Sequence, residues 1–454
     1  MSAILLRPID VLFFRDGRPM TASFAGHGAA WPLPNVTNAA FHAALHRAGL
    51  DGVHEHRRGA RGLYANASNR NRKFGSLLTA GPFPVSPNGS WFFPRPGDLL
   101  DDTISPALLP DTATDWQNSS SLPKPLRYAP ASRLRPSKDS GTKAWLSRDA
   151  FEAYLRNEAN FKLTGHAVDA ADFCNTEHSI GIKIDPATGT TGQGDAKRKF
   201  YSAQYLRLRE GWQLGVYATA HDKGFIKHDH DLVKALLNGT SKGIVIGGQQ
   251  RVCIADQLPE STPHLPHGIN TGFREGGGKH FVKWVLLSPS VWPAIEANAS
   301  RGINFQPGGW LPNWIHAETG EVFLKAGNTS RHELENRGVW RQRVREQASI
   351  AAKLAAAIVP KPIVVTGYAL PDASGETAAE RDGGACSTHL AVPAGAVYYF
   401  EAHSAEDARK LADALNWHGP TDGKEIKNRR STLLGEKGFG LGVCGTWKPS
   451  GGVQ

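Results

Sequence analysis

Hydrophobic and polar positions along the 454-residue chain alternate in short runs. The opening run, residues 4–14, is dense in Ile, Leu, Val and Phe and stops at the turn signal Asp16-Gly17, which predicts a buried strand. After a loop holding Gly26-His27-Gly28, Asn35 or Thr37 is placed to cap a helix through Phe41, Ala44, Leu45 and Ala48. Helical spacing returns at 149–157 with Phe151, Tyr154 and Leu155. Residues 200–208 and 212–218 read as two strands turning at Glu210-Gly211, a predicted hairpin. Further strands are expected at 243–246, running into Gly247-Gly248, at 252–254, and at 281–287 before Pro289.

The last hundred residues give the clearest pattern. Strands at 363–368 and 396–401, a helix from Ser404 through Leu411 and Leu415, and a strand around 438–447 form a β-β-α-β run. Such a run fits half of a split βαβ, or ferredoxin-like, domain. Ser404 with Asp407 three residues on resembles a capping box. Just upstream, residues 331–345 read as a basic helix or loop followed by an alanine-rich stretch that ends at Pro360.

Composition narrows the class. The length corresponds to two or three domains, and 40% hydrophobic with 21% charged residues excludes a disordered, collagen-like or coiled-coil chain. With 49 glycines and 29 prolines, many turns and long connections are expected. The longest apolar run, 350–359, carries Lys353 and is far short of a membrane helix. The first residues place Arg7, Asp10 and Arg15 among apolar ones, without a small-residue cleavage site, so a cytoplasmic protein with no membrane partner is expected. Cys174, Cys253, Cys386 and Cys444 lie far apart and read as packed thiols.

A net charge of +10 leans toward a polyanionic partner. Residues 47–73 hold Arg47, Arg57, Arg58, Arg61, Arg70, Arg72 and Lys73 against Asp51 and Glu55, and 331–345 hold five Arg against two Glu. A solvated basic face and a phosphate-contacting segment both satisfy these patterns. Arg15 and Arg18 flank the tight turn of Arg15-Asp16-Gly17-Arg18-Pro19, a setting for bidentate phosphate contacts or for an internal pair with Asp16. His27 and Gly28 sit in a glycine-flanked loop whose backbone can approach a phosphate. His221-Asp222 and His228-Asp229-His230-Asp231 invite a metal reading, but adjacent residues of one run cannot all face one ion, so a polar loop before a helix is preferred and no metal or cofactor is expected. In Gly435-Glu436-Lys437-Gly438-Phe439-Gly440-Leu441-Gly442, Lys437 offers charge and Phe439 a stacking face, the bland alternative being a glycine-rich strand packed under a helix. That run lacks a P-loop ending, and no nucleophile elbow, kinase set or HExxH occurs, so no catalytic residue is assigned.

Taken in order, RDGRP (15–19), GHG (26–28), PLPNVTNAAFHAAL (32–45), YSAQYLRLREGWQLGVY (201–217), IVIGGQQR (244–251), WVLLSP (284–289), VPAGAVYYFE (392–401) and GEKGFGLGVCGTW (435–447) resemble the Cmr subunit three family. These are RAMP-superfamily proteins, in the Cas five group, of type III-B CRISPR effector complexes. The resemblance implies an α+β fold of two ferredoxin-like (RRM-like) domains with long loop insertions, placed at 1–240 and 241–454, the second carrying the glycine-rich loop. It implies a noncatalytic subunit that captures the repeat-derived 5′ tag of the CRISPR RNA and touches the large polymerase-type subunit and the backbone subunits. Carried onto this sequence, Arg15, Arg18, His27, Gly28, Arg251, Lys437, Gly438, Phe439 and Gly440 are the RNA-binding candidates, with Gly247 and Gly248 shaping the turn before Arg251. The rival expectation is a metal-independent endoribonuclease that processes repeat RNA with His27 as general acid or base.

Overall fold

The computed structural model describes residues 1–15, 25–26, 29–50, 56–57, 73–74, 76–100, 105–108, 126, 128–131, 142–158, 161–191, 200–221, 231–259, 264–298, 305–327, 336–369, 384–421, 423 and 425–450. The elements that build the first half are β1 (Ser2–Pro8), α1 (Pro34–Arg47), β2 (Leu78–Val85), α2 (Arg148–Arg156), β3 (Cys174–Ile182), β4 (Phe200–Leu208), β5 (Gln213–Thr219), α3 (Leu232–Leu237), β6 (Lys242–Val245) and β7 (Val252–Gln257). The second half has β8 (Lys279–Leu286), α4 (Arg337–Glu346), β9 (Ala352–Ile358), β10 (Val397–Ala402), α5 (Ala405–Leu415) and β11 (Gly442–Thr446).

The first sheet runs β6-β7-β1-β5-β2 and is antiparallel throughout. Numbering β1, β2, β5 and β7 in chain order, the strand order is 4-1-3-2, with α1 following the first strand and α3 the third. A domain boundary at residue 240 cuts this sheet, because β6 and β7 lie beyond it and β7 hydrogen-bonds along β1 from Ile4 to Pro8. The second sheet has β8 between β10 and β11, with β9 outside β10. A short fifth strand, Arg274–Gly276, also pairs β8, and β8 to β11 numbered in chain order again follow 4-1-3-2, with α5 after the third. The connection after its first strand is long and irregular, and α4, which carries no buried residue among those described, lies within it.

Strand periodicity explains the layers. On β1, Ile4 and Leu6 point to one side and pack with Phe41 and Leu45 of α1 and with Val233 and Leu237 of α3. On the other side Ala3 and Leu5 join Phe83, Val85 and Tyr217 in a core shared with Phe281, Val285, Tyr399, Val443 and Trp447 of the second half. The outer face of the second sheet, through Trp284, Tyr398 and Phe400, packs on Leu411 and Leu415 of α5. The two sheets thus meet face to face and helices cover their outer faces, a double sandwich in which each buried aromatic or branched side chain contributes about 1.5–3 kcal/mol.

A buried polar cluster ties the halves. Asp98, 1% exposed, accepts bonds from Tyr154 Oη of α2 (2.5 Å) and Tyr399 Oη of β10 (2.9 Å), and Lys283 Nζ of β8 lies 3.8 Å from it. The Lys283 ammonium also sits 3.4 Å from the centre of the Tyr154 ring. Burial pushes Lys283 down to about 8, although Asp98 pulls the other way.

Several local expectations are corrected. The cap of α1 is Leu33 with Pro34 as first helical residue, so Asn35 and Thr37 lie inside the first turn and Thr37 Oγ1 bonds Pro34 O at 2.9 Å; a proline with fixed φ and no N–H suits that position. The strands at 200–208 and 213–219 exist but form no hairpin, since β4 pairs β3 and β5 pairs β1 and β2. The alanine-rich stretch is strand β9, and residues 363–365 pair 389–391 in a ribbon apart from the second sheet. Ser404 does cap α5, its Oγ accepting from Asp407 N at 3.0 Å.

Candidate nucleic-acid interface

Beyond Pro8 the chain continues as an irregular ledge, residues 9–15, at the β6–β7 side of the first sheet. Leu12 forms a bridge to Leu206 of β4, with N···O distances of 2.8 Å both ways. On its other side the turn between β6 and β7 comes down onto Phe13: Gly248 N donates to Phe13 O at 2.8 Å. Gly247 has φ +72°, and a Cβ there would stand 2.5 Å from Phe13 O; one on Gly248 would stand 2.6 Å from the Phe13 ring. Both glycines therefore serve close approach of two backbones.

This contact gathers a polar cluster. The carboxylate of Asp10 accepts from Arg207 Nη2 at 3.0 Å and from Arg251 Nη1 at 3.3 Å. Arg207 also pairs with Glu177 on β3. The Asp10 carboxyl is held below its ordinary range by the Val11 backbone N–H and then by Arg207, which is itself raised by Glu177. Tyr205 Oη donates to Gln249 Oε1 at 2.8 Å, and the Arg251 guanidinium lies 5.1 Å from the Tyr205 ring centre, with Phe13 5.5 Å from the same ring. Arg15, exposed, ends the ledge two residues past Phe13.

Of the residues expected at an RNA surface, Arg15, Arg251, Gly247 and Gly248 come together here. Arg18, His27 and Gly28 lie outside the described residues, as does most of the basic segment 47–73; the described neighbours Gly26 and Ala29 pair with Ala203 of β4 and with Phe14. Lys437, Gly438, Phe439 and Gly440 belong elsewhere. Gly438 meets Thr79 O and Ala80 of β2 and Pro34 of α1, at the opposite edge of the first sheet. The Phe439 ring is 0% exposed and packs with Val291, Val365 and Leu433, so the expected stacking face is a core side chain. Gly440 has φ +79°, and a Cβ there would overlap Ser431 N. Nearby Arg430 Nε donates to Ala414 O at 2.7 Å, and burial pushes that guanidinium down to about 10.

Asp231 caps α3, accepting from Val233 N at 2.9 Å, Thr219 Oγ1 at 2.9 Å and Ala220 N at 3.1 Å. It is a structural carboxylate; residues 222–230 lie outside the described set. Among the described residues no three His, Cys, Asp or Glu side chains gather as metal ligands would, and no helix is long and apolar enough to cross a membrane. Burial pushes Cys174 up to about 11 and Cys253 to about 12, as for packed thiols. What sequence reasoning missed are Asp10, Tyr205, Arg207 and Gln249: they come from three distant segments, which the pairing of β4 with the ledge and the β6–β7 turn resting on Phe13 bring together.

Fold and face together define a mixed α/β protein of two facing, mostly antiparallel sheets with an arginine-bearing ledge at one edge. The chain belongs to the CRISPR-associated protein family Cas_Cmr3, whose sequence model matches residues 4–447, and this membership puts it among subunits of type III CRISPR effectors. No curated protein matches it. Among solved structures it is similar to a chain of "Cryo-EM structure of the Type III-B Cmr-beta bound to cognate target RNA", with TM-score 0.39 and 12% identity over 88% of this chain and 86% of that one. It is also similar to a chain of "Crystal structure of Csm3-Csm4 subcomplex in the type III-A CRISPR-Cas interference complex", with TM-score 0.33 and 10% identity over 88% and 92%.

Proposed function

We propose that the chain is a noncatalytic RNA-binding subunit of a type III-B (Cmr) effector complex, which grips the repeat-derived 5′ tag of the CRISPR RNA and docks the large polymerase-type subunit beside the backbone subunits. Family membership supports the assembly. The strand order 4-1-3-2 in both sheets supports reading each half as a ferredoxin-like unit. The observation that carries RNA binding is the ledge itself: Arg207 and Arg251 meet at Asp10, Gly247 and Gly248 pack on Phe13, and exposed Arg15 follows two residues on. Guanidiniums held this way hold phosphates, which set position, while neighbouring polar groups read bases.

Titrating the full chain with single-stranded repeat RNA at rising salt tests the reading. Binding should weaken with a log–log slope of about −0.7 per phosphate contact. A flat salt response removes the RNA role and leaves a protein-contact scaffold. The same RNA, incubated with the chain and EDTA, should remain intact; site-specific cleavage that His27→Ala abolishes would establish the endoribonuclease instead.

A further inference from the structure

The β6–β7 turn carries a feature that phosphate binding does not use. Gln249 and Gln250 both adopt left-handed backbone conformations, with φ of +56° and +52°. Side chains larger than glycine seldom sit there, and such strain gathers at functional positions when the surroundings enforce it. Here Gly247 and Gly248 are pressed on Phe13, and Ile246 N donates to Arg251 O at 2.8 Å, so the turn is closed at both ends.

The Gln249 amide is oriented. Its Oε1 accepts from Tyr205 Oη at 2.8 Å and from Arg251 Nη2 at 3.4 Å. A guanidinium has no acceptor, so the atom facing Arg251 must be the oxygen, and the amide cannot be reversed. Its Nε2 donors then face outward, and among the described residues nothing accepts from them. Arg251 beside it gives one bond to Asp10 and one to Gln249, which leaves further N–H groups. Tyr205, flanked by Phe13 and Arg251, acts as a prop and not as a stacking platform. Next to the Asp10 carboxylate, which Arg207 and Arg251 engage, the Gln249 amide and the remaining Arg251 N–H groups therefore form a row of donors.

We infer that this row reads a nucleobase, and specifically the Hoogsteen edge of guanine, whose O6 and N7 are both acceptors. The inference rests on the RNA-binding reading above. Adenine places its N6 amino donor where O6 stands in guanine, so it would set donor against donor. A single-stranded segment exposes that edge to a protein. Gln249 is then a specificity-determining residue and Arg251 serves both base and phosphate.

The test uses the full chain and three octanucleotides: alternating U and G, alternating U and A, and the U/G sequence with 7-deazaguanine, which lacks the N7 acceptor. The U/G octamer should bind about tenfold tighter than the U/A octamer, with the deaza version close to U/A. Gln249→Gly, which suits the left-handed backbone, should keep or raise the melting temperature and abolish the preference, so that the variant binds the U/G and U/A octamers equally. Equal affinity of the unmodified chain for all three RNAs, or a preference that survives Gln249→Gly, overturns the guanine assignment while RNA binding stands. Absence of salt-dependent binding to any of the three overturns the RNA reading on which it rests.

Discussion

Two glycine-bearing turns touch opposite edges of the first sheet, and their chemistry runs in opposite directions. At the β6–β7 turn, Gly247 and Gly248 press on Phe13 so that Gln249, Gln250 and Arg251 stand outward. At the loop before β11, Gly438 and Gly440 press on Thr79 and Ser431 so that Phe439 goes inward. Glycine does the same job in both, admitting backbone to backbone. What differs is the residue displayed next to it. A glycine-rich motif is therefore no mark of a ligand site until the direction of its neighbours is known.

The largest effect should come from the inward side. Phe439→Ala removes a fully buried ring and should destabilise the chain by about 3–5 kcal/mol, read by urea denaturation. RNA affinity per folded molecule should not change. A variant of unchanged stability that loses RNA would restore the stacking role and erase the contrast. Gly247→Ala comes next: it combines positive φ with a Cβ 2.5 Å from Phe13 O, and should cost about 1–3 kcal/mol while also weakening RNA binding, because the ledge moves with the turn. Stability loss with intact binding would separate the glycines from the interface.

This contrast shows what the sequence could reveal. Strands at 281–287 and 396–401 and the helix from Ser404 are legible, because their alternation and cap are local signals. β9 is not. Its Leu354, Ala355 and Ala356 are all buried, with a register shift between Leu354 and Ala356, and cores cover both faces, so small residues fill it and alternation disappears. At the site, Arg251 is reached through the resemblance of its stretch, residues 244–251, to the family, whereas Asp10 and Tyr205 depend on a pairing between residues about two hundred positions apart. Phe439 shows the limit from the other side, since a glycine-spaced aromatic has the same pattern whether it faces a base or a core.

The cations sharpen the comparison. Lys283, inside the double sandwich, is held near 8 by burial, against an ordinary value of 10.5. Because its folded pKa is depressed, the unfolded chain binds more protons between those values. Stability should rise with pH across about 8 to 10.5, by at most about 1.4 kcal/mol per unit, and level off at its lower value below 8, where both states hold the proton. Lys283→Met should flatten that rise; an unaltered slope would assign it to other groups. Arg251, on the ledge, should behave in the reverse way. Arg251→Ala should leave stability nearly unchanged and reduce the salt slope of RNA binding by about 0.7.

The smallest effect concerns Asp10, and it decides whether the ledge is blocked or braced. Its two oxygens are shared between Arg207 and Arg251, and all three side chains are at least partly exposed, so the pairs contribute little to stability. Two roles compete. As a blocker, the carboxylate occupies N–H groups that a phosphate would use and repels the incoming anion; as a brace, it holds both guanidiniums in place. Glu177 already fixes Arg207, and Gln249 with the Tyr205 ring fixes Arg251, so bracing is duplicated and blocking is not. Asp10→Asn should therefore tighten RNA binding a few-fold at low salt, with the gain shrinking as the Debye length falls from about 30 Å at 0.01 M to about 8 Å at 0.15 M. Weaker binding at every salt concentration would make Asp10 the brace, and the ledge would then need its carboxylate to present the arginines at all.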